Sequence, residues 1–282
     1  MKISGHVIGP MYLWTIALLA LLAIIFSLTL HQFPLPLIVA VAVASIADIL
    51  ISRYHHKHRL RIPLSAIITG LIIGSVAPQN APLLLAGMAS LIAITSKAFI
   101  KSRRVNIFNP AAFGLLVSLA VFSVGDEWWA GGSYNIHGIA LPLSFILIIS
   151  AYQAKRLTSS ASFMAATLVV GMLMGLSHLS AGWMATLVIG VNYYVAFVMV
   201  ADPKTSPHRM AAQIGFGAGI AALTALLSIA AVPYSILIAL LIGNAGYALY
   251  RIIPRGERAK APEMVSQAHK PAHLHHQGPL PA

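Results

Sequence analysis

Two proline-bearing stretches hold the side chains best able to do chemistry. Asn106, Asn109 and Pro110 stand in Asn106-Ile107-Phe108-Asn109-Pro110-Ala111, and Asp202, Pro203, Lys204, Thr205 and Pro207 stand in Asp202-Pro203-Lys204-Thr205-Ser206-Pro207. An Asn or Asp directly before a proline bonds neighbouring backbone amides, starts a turn and caps the helix that follows. Capping alone accounts for both stretches. The alternative is a shared functional floor, where carboxamide, carboxylate, ammonium and hydroxyl groups meet. Three more polar side chains, Asp48, Asn192 and Asn244, interrupt apolar runs. A charge at mid-helix in a bilayer costs about 2.5–3.5 kcal/mol on insertion scales. Asp48 lies close enough to the end of its run to meet Arg53 or Arg104, a structural explanation we place ahead of a cation site. Asn192 and Asn244 need partners, either between helices or along a path.

The elements that must position these groups follow from composition. Of 282 residues, 59% are hydrophobic and 9% charged, the mean hydropathy is +0.85, and a soluble domain carries roughly 25% charged residues. So few charges cannot cover a water-exposed surface. Apolar runs at 13–30, 33–51, 62–77, 83–100, 110–124, 139–153, 163–180, 183–201, 211–230 and 232–250 predict an all-α membrane protein of about ten transmembrane helices. Several fall short of the roughly 20 residues of a perpendicular span, so tilted, broken or re-entrant helices are expected. The organisation reads as an N-terminus at 1–12, a polytopic domain at 13–250 and a His- and Pro-rich tail at 251–282 expected to be disordered.

The basic residues give an orientation. Lys2, then Arg53, Lys57, Arg59 and Arg61, then Lys97, Lys101, Arg103 and Arg104 fall in alternate gaps; Lys155 and Arg156, Lys204 and Arg209, and the five after span ten continue the pattern. The other gaps offer Asp126 and Glu127. The positive-inside rule then places both termini in the cytoplasm and the chain in the cell membrane, facing the lipid bilayer. The net charge of +12 is accordingly an orientation signal rather than a nucleic-acid footprint.

Other chemistries are disfavoured. With no cysteine the chain holds no disulfide, no thiolate-bound zinc and no iron-sulfur cluster of its own. His55, His56 and His58 read as interfacial, and His269, His273, His275 and His276 as a tail without fixed metal geometry; no metal site is expected. Neither a catalytic triad nor a phosphate loop is present, and no catalytic residue is assigned. Gly215-Phe216-Gly217-Ala218-Gly219 follows no strand. Gly70 with Gly74, Gly171 with Gly175 and Gly215 with Gly219 place small residues one turn apart, which predicts close helix packing. Trp128, Trp129 and Tyr134 are expected to form an interfacial aromatic belt.

Ten spans invite division into inverted repeats at about 13–124 and 139–250, since an odd-numbered unit used twice must reverse. Pro78 with Pro82 and Pro203 with Pro207 form P-x-x-x-P junctions between corresponding runs, and Pro110 and Pro233 open spans five and ten. Helix ends freed by proline would meet near mid-depth.

Ser96-Lys97 followed by Asn106-Ile107-Phe108-Asn109-Pro110-Ala111 and Gly114 resembles the SK…NIFNPAxxG segment of the RnfD/NqrB family. Its members are membrane components of the Rnf electron-transport complex and of the sodium-translocating NADH:quinone oxidoreductase. The 202–207 stretch is similar to their TDPxTSP, with Ala201 for the Thr, and Ser65-Ala66 to Gly70-Leu71 is similar to their SALVTGLLL. The resemblance implies two inverted five-helix repeats, as in urea transporters, within a complex where electron flow is coupled to cation movement and flavin and iron-sulfur proteins are partners. Family members with redox activity carry FMN on the Thr of an [S/D]-G-A-[T/S] motif. That motif is missing here, Ser180-Ala181-Gly182-Trp183 being the nearest fragment, so covalent FMN is predicted absent and a non-covalent riboflavin or a quinone is the candidate cofactor. A stand-alone small-solute or ion channel of the same fold, or a non-catalytic membrane anchor, are the alternatives. At most the chain is then a non-flavinylated subunit of an oxidoreductase.

Overall fold

The computed structural model describes residues 2–3, 6–7, 10–55, 62–102, 105–129, 140–175 and 193–252. Its helices are α1 Pro10–Leu30, α2 Leu35–His55, α3 Leu64–Val76, α4 Leu83–Phe99, α5 Pro110–Phe122, α6 Ala140–Gln153, α7 Leu157–Gly175, α8 Met210–Ile229 and α9 Ser235–Ile252, with a π-helical turn at Val195–Met199 ahead of α8. Short antiparallel pairs join Lys2–Ile3 to His6–Val7 and Lys101–Ser102 to Val105–Asn106. The second pair ties the chain just before Asn109. This is an all-α membrane protein, as the apolar runs predict.

Proline starts several helices and left-handed residues stop others. Pro63 and Pro82 precede α3 and α4, and Pro110 occupies the first turn of α5, where its missing amide costs no helical bond. Pro233 stands outside α9, which begins at Ser235. His31, Ser123, Lys155 and Ala231 adopt φ of 52°, 52°, 55° and 52° after α1, α5, α6 and α8. The paired bonds that follow, such as Lys155 N to Tyr152 O and Arg156 N to Ala151 O, both 3.0 Å, satisfy the last free carbonyls.

Length and burial divide the helices into two kinds. Among the described residues four segments are long and apolar enough to cross a bilayer, Met11–Leu30, Leu35–Tyr54, Met210–Ile229 and Ser235–Ile252. In contrast α3 and α5 have 13 residues each, about 20 Å of rise against a hydrocarbon core of about 30 Å. These short helices are enclosed by protein; every residue from Thr69 to Val76 is buried. Irregular backbone at depth is tolerated only in such surroundings.

Glycines set the closest approaches. A Cβ at Gly70 would lie 2.6 Å from Val41 Cα and one at Gly74 2.3 Å from Leu37 Cα, so α3 presses on α2 as expected. Gly114 brings α5 against Ala89 O of α4, and Gly217 brings α8 against Ser159 O of α7. Gly215 and Gly219 depart from the expectation: a Cβ at either meets nothing within 4 Å.

At the end of the bundle opposite the basic loops, residues 123–129 turn inward. Trp129 is wholly buried and Trp128 nearly so, which overturns the interfacial belt for these two; Tyr134 lies outside the described residues. The reason is the free C-terminus of the short α3. Trp129 Nε1 donates to Gly74 O at 2.8 Å, the Glu127 amide donates to Val76 O at 3.1 Å, and the Glu127 carboxylate accepts from the Gln79 amide at 2.6 Å. Trp128 Nε1 donates to the Asp126 carboxylate.

One further boundary differs from expectation. α7 begins at Leu157 rather than 163, because its early hydroxyls find acceptors on neighbours: Ser160 Oγ donates to Ala196 O at 2.6 Å and Ser162 Oγ to Ile214 O at 2.7 Å. Span eight is described from Tyr193 onward and ends in the π turn, closed by Val200 N to Val195 O at 2.8 Å. Asn192, His56, His58, the 180–183 fragment and the tail from 253 lie outside the described residues.

Candidate functional site

Each loop is first held by its own side chains. Asn109 caps α5, its Oδ1 accepting from the Ala112 amide at 3.2 Å. Asp202 gathers the second loop: Oδ1 accepts from the Lys204 amide at 3.0 Å, Oδ2 from Thr205 Oγ1 at 3.1 Å, and its carbonyl from Ser206 Oγ at 2.7 Å. Capping and turn formation are therefore present in both.

The loops also meet, through Asn244. From α9 its Oδ1 accepts the Asn109 amide at 3.0 Å and its Nδ2 donates to the Thr205 carbonyl at 3.3 Å. Asn109, Thr205 and Asn244 are all buried, so the polar bridge is protected from competing water.

Above this bridge lies a cavity of about 110 Å³, lined among others by Asn106, Asn109, Pro110, Asp202, Pro203 and Lys204. The structure thus places both predicted stretches on one wall. Tyr12 and Thr15 of α1, Ser65 and Thr69 of α3 and Phe197 and Val198 of the π turn close it. Lys204 Nζ donates to Ser65 Oγ at 3.3 Å and stands 5.7 Å over the Tyr12 ring. The Asp202 oxygens are occupied by the loop, so Lys204 brings positive charge to the cavity without a carboxylate ion pair. Asn106 is 8% exposed and its side chain lines the cavity. Pro207 is buried on the other side of the loop, against α8 and α9.

Arg156 is the residue that spacing alone did not single out. It is 2% exposed, because its guanidinium turns inward onto the 202–208 loop while the neighbouring Lys155 faces outward. Nε donates to Ser206 Oγ at 2.9 Å, Nη1 to Lys155 O at 3.0 Å, and Nη2 to Pro203 O at 3.4 Å and His208 Nδ1 at 2.7 Å. The guanidinium fork thereby holds the 202–208 loop from beneath. Burial lowers the proton affinity of Arg156. Burial, then the charges of Arg156 and Arg251, holds His208 below the usual imidazole range, in keeping with an imidazole that accepts. The nearest sequence signal was a cation in a connection of three residues.

Asp48 pairs with Lys97 at 3.5 Å rather than with Arg53; Arg104 lies outside the described residues. The pair joins α2 to α4 at the same end of the bundle, outside the cavity lining.

A multi-pass helical membrane protein with a polar cavity under two proline-stopped loops is the class that fold and site define. A sequence model of the NQR2, RnfD, RnfE family matches residues 6–145, a stretch that includes Asn106, Asn109 and Pro110. The chain belongs to the NQR2, RnfD, RnfE family. No curated protein matches it.

Proposed function

We propose that the chain is an integral membrane subunit of an Rnf- or Nqr-like electron-transport complex that couples redox chemistry to cation translocation. One observation carries the reading: Asn106, Asn109 and Pro110 of one stretch and Asp202, Pro203 and Lys204 of the other, each stretch similar to a family motif, line one cavity, and Asn244 bridges the two loops. Orientation with both termini in the cytoplasm rests on the alternation of basic residues.

The inverted repeat belongs to the same proposal. Helix neighbours correspond under a five-helix shift: α2 packs on α4 as α7 packs on α8, α4 on α5 as α8 on α9, and α1 on α3 as α6 on the π-turn segment. The two proline-stopped junctions correspond as well.

The cavity suits a small polar head group. Pockets that enclose drug-sized ligands span roughly 300–1,000 Å³, so about 110 Å³ takes the ring edge of a quinone or flavin, with the remainder outside. Lys204 and Asn106 would donate to its carbonyl oxygens; such a group would supply one- and two-electron chemistry when bound.

Purification of the full chain in mild detergent, with absorbance spectra, quinone extraction and identification of co-purifying proteins, tests the reading. Flavin- and iron-sulfur-bearing partners are expected. A colourless lone protein that transports a solute or ion in liposomes would overturn it in favour of a stand-alone transporter. A denatured-gel flavin band on this chain would separately overturn the expected lack of covalent FMN.

A further inference from the structure

Gly215 and Gly219 form the floor of a groove rather than a helix contact. A Cβ at either would meet nothing within 4 Å, whereas one at Gly243 across the groove would meet Ile220 Cγ1 at 2.8 Å. The groove between α8 and α9 encloses about 480 Å³ and is walled by Phe216, Ile220, Tyr247 and Tyr250. Phe216 meets Tyr247 edge-on at 6.3 Å and Tyr247 stacks with Tyr250 at 6.5 Å, which stiffens the aromatic wall. At one end stand Pro207 and the Arg251 guanidinium, 5.3 Å over the Tyr247 ring. Arg251 has no carboxylate partner among the described residues.

An apolar trough with a guanidinium group at one end calls for an occupant with an apolar tail and an anionic head. We propose that this groove holds one acyl chain of an anionic phospholipid, its phosphate bound by Arg251. Guanidinium groups pair well with phosphate oxygens, and tyrosine hydroxyls favour the level of the head groups.

The test is native mass spectrometry of the full chain in mild detergent, titrated with dioleoyl phosphatidylglycerol or dioleoyl phosphatidylcholine. The wild type is expected to retain one phosphatidylglycerol in preference to phosphatidylcholine. Arg251→Gln should reduce that preference about fivefold, the effect of one basic residue near a charged membrane surface. The double variant Gly215→Leu, Gly219→Leu should lose the retained lipid of either kind. Equal retention of the two lipids by the wild type would overturn the proposal, as would an unchanged preference in Arg251→Gln. So would a double variant that keeps its lipid, or one that converts a dimer into a monomer. If the double variant does not purify, the Arg251→Gln comparison decides.

Discussion

Asn244 Oδ1 lies 3.0 Å from the Asn109 amide nitrogen, across 135 residues of sequence. The same carboxamide reaches the Thr205 carbonyl, so one side chain uses both its functions to join two loops. Replacing it by an apolar residue leaves a buried donor and a buried acceptor without partners, each costing about 1–3 kcal/mol. Asn244→Leu should therefore lower stability by about 2–4 kcal/mol, read as a fall in melting temperature by fluorescence-detected size exclusion. A melting temperature equal to that of the wild type would dismiss the bridge as a structural tie.

His208 gives the loop a dependence on acidity. Its proton affinity is lowered in the fold by burial and by Arg156 and Arg251, so the folded state binds fewer protons than the unfolded state near neutrality. Its contribution is complete above the unfolded value of about 6.5 and is lost as the pH falls through 6.5 toward the lowered folded value. Wild-type protein should lose more stability than His208→Gln on acidification through that window. Parallel curves for the two proteins would refute the linkage.

Glycines at helix contacts and glycines facing open space should respond oppositely to the same substitution. A methyl at Gly114 would lie 2.1 Å from Ala89 O, and one at Gly217 2.2 Å from Ser159 O, both rigid backbone. Gly114→Ala and Gly217→Ala should each destabilise by about 1–3 kcal/mol. At Gly246 nothing lies within 4 Å, and Ala there should stabilise α9 by up to about 1 kcal/mol. Thermal denaturation of the three variants checks the contrast.

The pair of Asp48 and Lys97 is partly enclosed, with side chains 27% and 16% exposed. Removing one partner leaves the other charge against apolar surroundings. Lys97→Met alone should cost about 1–2 kcal/mol, discounted for solvent screening, and Asp48→Asn added to it should recover most of that loss. Additive losses in the double variant would exclude a coupling between the two.

What was legible in the sequence is what lipid and water dictate. Apolar runs and alternating basic gaps locate the helices, since both report directly on exposure to the bilayer. The turn-forming Asn109 and Asp202 were legible for a similar reason, because their bonds are local. The cavity that brings them together depends on Asn244, whose partners lie far away in sequence. Arg156 was counted only as a loop charge, because its partners at 203–208 lie about 50 residues away in sequence. Trp128 and Trp129 have the composition of an interfacial belt. Their burial follows from the carbonyls left free by the early end of α3, a demand that belongs to another helix. Gly215 and Gly219 have the spacing of a packing face, and only the position of α9 reveals the trough above them.

The π turn at Val195–Met199 has a consequence for phase. A bond to the fifth residue instead of the fourth adds one residue to a turn, about 100° of rotation in helical terms. Asp202 leaves the span with that offset already included, which lets its carboxylate swing back over Lys204 and Thr205. Ser160 donates to the Ala196 carbonyl within the turn. Shortening this span by a single residue would aim the loop a quarter-turn away from Asn244, so the length of the segment, as much as its composition, keeps the two halves in step.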